Sequence, residues 1–159
     1  MRKLLKFLHT LGSCGLIGGL LIYMIVLGLV PQDTPADFAG ARRIIGLLGT
    51  YVLLPSMGAC LATGLMSISV HRPFQELRWV WVKAALGIGM FEGTLGLQSK
   101  ASHAVGLSEA LIEGKTTTAA VAAELSSEWY LLAAIMTLAL ANIVLGVWRP
   151  ILRPVLRRG

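Results

Sequence analysis

Residues 53–98, LLPSMGACLATGLMSISVHRPFQELRWVWVKAALGIGMFEGTLGLQ, hold two long apolar runs joined by a short charged turn. An apolar run of roughly 20 residues spans a bilayer as a helix, because no other open structure satisfies its own backbone polar groups away from water. The stretch therefore reads as a transmembrane helical hairpin. Its turn, residues 71–78, carries Arg72, Arg78 and Pro73, and the second run then admits Lys83 and Glu92 into otherwise apolar sequence. A charge near the bilayer centre is expensive unless it is paired, wet or neutralised, so an account of function has to accommodate both residues.

The rest of the chain supplies two more such runs. Residues 4–30, 44–70, 79–98 and 129–148 are each long enough to cross, which predicts an all-α, polytopic membrane protein: a single four-transmembrane-helix bundle over 1–159. A hydrophobic content of 55% with only 14% charged residues excludes an ordinary water-soluble domain. The net charge of +6 could suggest nucleic acid, but the basic residues sit at segment ends instead of forming a patch interleaved with aromatics, so no nucleic-acid partner is expected. Arg2, Lys3 and Lys6 precede an apolar run about twice the length of a signal-peptide core, which reads as a retained helix.

With alternating helices, Arg2, Lys3, Lys6, Arg72, Arg78, Arg149, Arg153, Arg157 and Arg158 share one side, and Arg42, Arg43, Lys100 and Lys115 the other. This bias predicts both termini in the cytoplasm of a bacterial inner membrane, with the tail 149–159 lying against the anionic leaflet. The first outer loop, 31–43, has Pro31, Asp33, Pro35 and Asp37 and reads as a turn-rich connection. The second, 99–128, is alanine-rich and offers Ser108 as a helix N-cap, which suggests short surface helices or extensions of the membrane helices, and a possible docking face. Cys14 and Cys60 lie in apolar runs and read as reduced, buried and structural. Close helix packing is signalled by Gly15-x-x-x-Gly19, Gly58-x-x-x-Ala62 and Gly89-x-x-x-Gly93. Pro55 should kink the second helix or mark its first turn.

Depth follows from a rise of about 1.5 Å per residue. His9 and Lys83 both fall within about 8 Å of the cytoplasmic boundary, Asn142 reaches a similar depth on the fourth helix, and Ser67 and Ser69 close the second. Each helix thus sends a polar group to one inner layer. His9 can ligate haem iron or hydrogen-bond between helices, and Lys83 can snorkel or, with Arg78, hold an anionic group such as a propionate or a lipid headgroup. His71 sits at the boundary. Glu92 lies about 13 Å from Lys83 along the helix and half a turn away, so the two cannot pair; it reads, like Asn142, as a buried polar residue. No nucleophile elbow, metalloprotease helix or phosphate loop is present.

Three stretches carry a family resemblance: KFLHTLG over residues 6–12, PSMGACLATGL over 55–65 and RWVWVK over 78–83. Over roughly the first hundred residues the chain resembles small bacterial membrane proteins grouped around the HemJ-type protoporphyrinogen oxidase and the CopD copper-resistance membrane domain. The resemblance implies that His9 matches the first-helix histidine of a b-type haem site, and Lys83 the third-helix lysine of the oxidase. It departs from the oxidase after the first helix, where Tyr23 and an uncharged run stand in place of an arginine-rich segment, and at Gly96-Leu97-Gln98, where no histidine closes the third helix. Two functions are carried forward. One is a non-catalytic subunit or scaffold of a membrane complex, packing against other subunits or a second copy. The other is a haem b redox protein with His9 as axial ligand, His71 or a methionine opposite, and Lys83 or Arg78 at the propionates.

Overall fold

A computed structural model describes residues 2–30, 34–70 and 75–148. The described residues are all-helical: α1 (Arg2–Leu29), α2 (Pro35–Leu48), α3 (Leu54–Val70), α4 (Arg78–Ile112) and α5 (Thr118–Trp148). A π turn, Gly49–Leu53, joins α2 to α3 without a break. Among the described residues four helices are accordingly long and apolar enough to cross a membrane: Lys3–Leu29, Pro35–Val70, Arg78–Ile112 and Ala123–Trp148. They run antiparallel in succession. We call the end where α1 begins the basic end and the other, where α1 turns into α2 and α4 into α5, the cap end.

Three boundaries differ from those expected from the sequence. The second spanning helix starts at Pro35 and not near 44, because Thr34 caps it. The Thr34 hydroxyl accepts from the Asp37 amide at 3.1 Å and donates to the Asp37 carboxylate at 2.6 Å, Pro35 occupies the first turn where its missing N–H costs nothing, and Asp37 faces the positive helix end. Residues that look like turn formers are here helix starters. The expected long loop 99–128 is also largely helix: α4 runs on to Ile112, about 52 Å for 35 residues, and α5 resumes at Thr118. Ser108 is no N-cap, since it lies buried inside α4 and donates to the Val105 carbonyl.

α4 stops at a Schellman turn. Gly114 has φ of +71°, its amide bonds the Leu111 carbonyl, and the Lys115 amide reaches back to Ala110 at 2.8 Å. A side chain is strained at that φ, so Gly114→Ala should lower stability by about 1 kcal/mol, read as a drop in thermal midpoint.

The π turn lies immediately before Pro55. Proline cannot donate to the carbonyl four residues back and its ring crowds that group, so the chain widens by one residue there, with the Leu54 amide bonding Gly49. The expected disturbance at Pro55 is a π turn. At the same place Gln98 of α4 donates from Nε2 to the Thr50 hydroxyl at 2.8 Å, and its Oε1 occupies the space a Cβ on Gly49 would need.

The core is one cluster running the length of the bundle, including Leu16, Leu20, Ile45, Leu53, Met57, Leu97, Leu132 and Ile135. Of the expected glycine pairs, Gly15 and Gly19 both face α3: an added Cβ would lie 2.4 Å from the Ser56 Oγ and 2.7 Å from a Leu53 methyl. Gly93 packs on Ile135 of α5, whereas Gly58 and Gly89 have open space beside them. At the cap end α2 packs along α4, burying Phe38, Ala41 and Ile45 on one side and Ala101, Ala104 and Ser108 on the other. Cys60 is buried and reduced as expected, but Cys14 is exposed, since it lies on the face of α1 turned away from α3.

Candidate functional site

Two polar centres occupy opposite ends of the bundle. At the basic end, α1, α3, α4 and α5 line a half-open cavity of about 280 Å³ whose walls are mainly apolar, with Met57, Leu61, Met90 and Ala139 among them. Its polar lining comes from Lys6, His9, Ser13, Ser67, Lys83 and Asn142. The inner layer expected from helical rise is therefore one space, to which each spanning helix contributes.

His9 is held by α3. Its Nδ1 lies 3.0 Å from the Cys60 carbonyl and 3.3 Å from the Thr63 hydroxyl. A carbonyl only accepts, so Nδ1 carries the proton, and in the neutral ring Nε2 keeps its lone pair. Nε2 has no hydrogen-bond partner among the described residues. Thr63 donates to the Ala59 carbonyl at 2.6 Å, and Ser13 donates to the His9 carbonyl at 2.8 Å and touches the Cys60 sulfur at 3.1 Å. The ring is thus held through Nδ1, which leaves Nε2 toward the cavity as in a ligating histidine oriented by its other nitrogen.

Lys83 and Asn142 clasp α4 to α5. The Lys83 ammonium donates to the Asn142 carbonyl at 3.2 Å, and the Asn142 amide returns a bond to the Lys83 carbonyl at 3.3 Å. Gly146 gives the ammonium room, since a Cβ there would lie 2.6 Å from Nζ. Lys83 thereby sits near the last turns of α5, where the helix dipole favours a cation. The Asn142 Oδ1 is buried and accepts no hydrogen bond among the described residues.

The other sequence-predicted residues separate from this group. Arg78 is exposed at the first residue of α4 and is not among the residues lining the cavity. His71 lies outside the described residues. Glu92, expected buried, is exposed on the outer face of α4: Met90, Thr94 and Leu97 take the inward positions of that helix, and Glu92 falls between them. No group of three or more histidine, cysteine or carboxylate side chains suited to a metal occurs among the described residues.

The second centre, towards the cap end, was not expected from the sequence. Arg42 of α2 and Glu128 of α5 form an ion pair at 2.5 Å, each side chain almost wholly shielded, and the Tyr23 hydroxyl of α1 donates to the other Glu128 oxygen. The guanidinium also lies over the Phe38 ring, 4.9 Å from its centroid. The sequence places Arg42 with Arg43 in the first outer loop and Glu128 at the end of the second, whereas both lie in helices. The available signal was periodicity: Phe38, Ala41, Arg42 and Ile45 share one helical face. Next to it Lys100 of α4 bonds Glu124 at 3.2 Å and Ser127 at 2.9 Å.

Comparison with protein-family models, with curated proteins and with solved structures finds no match.

Proposed function

We propose that this chain is a multi-pass protein of a bacterial inner membrane, with both termini cytoplasmic, that holds an amphipathic anionic ligand in the cavity at its basic end. The observation that carries this reading is His9, locked through Nδ1 to the Cys60 carbonyl and lining a mostly apolar cavity with an unpartnered Nε2. Apolar walls with a few converging polar groups suit a ligand with an apolar body and a charged end. Lys6 and Lys83 supply the cationic side.

Haem b is the member of that class that would use these donors most fully. His9 would hold the iron through Nε2, since the carbonyl behind it sets the tautomer and raises the basicity of that nitrogen. Met57 and Met90, which also line the cavity, provide candidate second donors, and Lys6 or Lys83 would neutralise a propionate. Haem bound there would supply one-electron redox chemistry. The protein's part is to fix the donor, balance the charge and keep water away.

The test is an oxidised-minus-reduced absorption spectrum of the chain purified gently from its own membrane, beside His9→Ala. The expected result is a Soret band and a sharp alpha band in the parent. The His9→Ala protein should lose both while keeping its helical circular dichroism. Unchanged haem content in that variant would remove His9 from the site. A featureless parent spectrum, with no anionic amphiphile in the organic extract of the purified protein, would overturn the ligand reading. The chain would then be taken as a non-catalytic subunit of a membrane complex, a reading favoured independently by Glu92, exposed within the apolar span of α4.

A further inference from the structure

The outer face of α4 carries Ala85, Ile88, Gly89, Glu92 and Leu95, all exposed, with Gly96 half-buried one turn beyond Glu92. Ile88 and Leu95 flank the carboxyl and are 46% and 45% exposed, and the space beside Gly89 is empty. Glu92 makes no hydrogen bond or ion pair among the described residues. Counted from Trp79 it lies about 20 Å into the helix, and about 9 Å short of Gln98, well inside an apolar span.

We infer that this face is the contact between two copies of the chain, paired about a two-fold axis along the membrane normal with Glu92 against Glu92. Copies inserted the same way keep every residue at one depth, so across such an axis the carboxyl can meet only groups at its own level. The residue best placed there is its own counterpart. A protonated carboxyl is both donor and acceptor, so two of them, or one with a carboxylate, satisfy each other without a cation. Ala85 and Gly89, the latter with open space beside it, let the backbones approach closely enough for that bond. Gly93, the other half of the Gly89-x-x-x-Gly93 pair, is already occupied by Ile135, which leaves Gly89 for the partner. The contact is separate from the cavity and stands whether or not a ligand binds.

The experiment uses the full chain with Cys14→Ser, in vesicles of bacterial phospholipid, with dimer content measured by energy transfer between labelled copies as protein is diluted in lipid. Adding Gly89→Cys should give a disulfide-linked dimer on mild oxidation, whereas Ile25→Cys, on the exposed face of α1, should not. Glu92→Gln should dimerise nearly as the parent, because an amide also pairs with itself. Glu92→Leu should weaken dimerisation by roughly tenfold, within the range of interhelical hydrogen bonds in bilayers. It removes an exposed polar group in favour of an apolar one and so should not disturb folding. A monomeric parent, crosslinking through residue 25 in preference to 89, or unchanged dimerisation of Glu92→Leu would each overturn the inference.

Discussion

Glu128→Ala should destabilise the protein by about 3–5 kcal/mol, a large share of the roughly 5–15 kcal/mol by which folded domains are stable. The reason is what stays behind. Arg42 is fully buried, and two of its nitrogens, Nε and Nη2, already lack partners among the described residues. Glu128 supplies the countercharge at 2.5 Å, and with it gone the guanidinium faces only the Phe38 ring and the Tyr23 hydroxyl loses its acceptor. Arginine does not shed its proton, so the cost cannot be escaped by neutralisation. Tyr23→Phe should cost less, about 1–3 kcal/mol, because Glu128 keeps its partner and only one oxygen loses a bond. The pair is not expected to be irreplaceable: Arg42→Met with Glu128→Leu should recover most of the loss, since removing both charges removes the desolvation penalty with the attraction. Unfolding in graded sodium dodecyl sulfate, followed by circular dichroism, gives the three values. A Glu128→Ala protein as stable as the parent would mean that Arg42 is satisfied by something other than this carboxylate.

The sequence made the spanning helices and the layer at the basic end legible for the same reason. Both depend on counting along a helix, and a constant rise carries His9, Lys83, Asn142 and Ser67 to one level whatever their rotation. Rotation was harder to read. Over residues 79–98 α4 is apolar nearly all round, so no amphipathic period distinguishes an inward Glu92 from an outward one. Loops were read from composition, and composition misled. Thr34, Pro35 and Asp37 suit a turn and a helix start equally, and α4 and α5 extend through residues polar enough to pass for connection. Arg42 and Glu128 fell in those misread stretches, so a pair of opposite charges distant in sequence was hidden behind two wrong boundaries.

The second large effect belongs to Gly12. Its Cα lies so close to α3 that an added Cβ would sit 2.8 Å from the Ser56 carbonyl oxygen and 3.1 Å from both the Cys60 amide nitrogen and sulfur. The first two are backbone, which cannot swing aside as a side chain can, so α1 and α3 must separate. Overpacking of this kind costs about 1–3 kcal/mol for a methyl, and Gly12→Val should exceed that range. Gly18→Ala is the matched control: nothing lies within 4 Å of its Cβ position, and removing a helical glycine there should leave stability equal or raise it by up to about 1 kcal/mol. The contact also reaches the cavity, because His9 is one turn from Gly12 and takes its orientation from the Cys60 carbonyl on the helix being pushed away. Gly12→Ala should therefore fold with a lowered thermal midpoint and, on the proposed reading, retain less haem, although residue 12 is not among those lining the cavity. If Gly12→Ala lost stability and kept full ligand affinity, the fixed orientation of His9 would be incidental to binding.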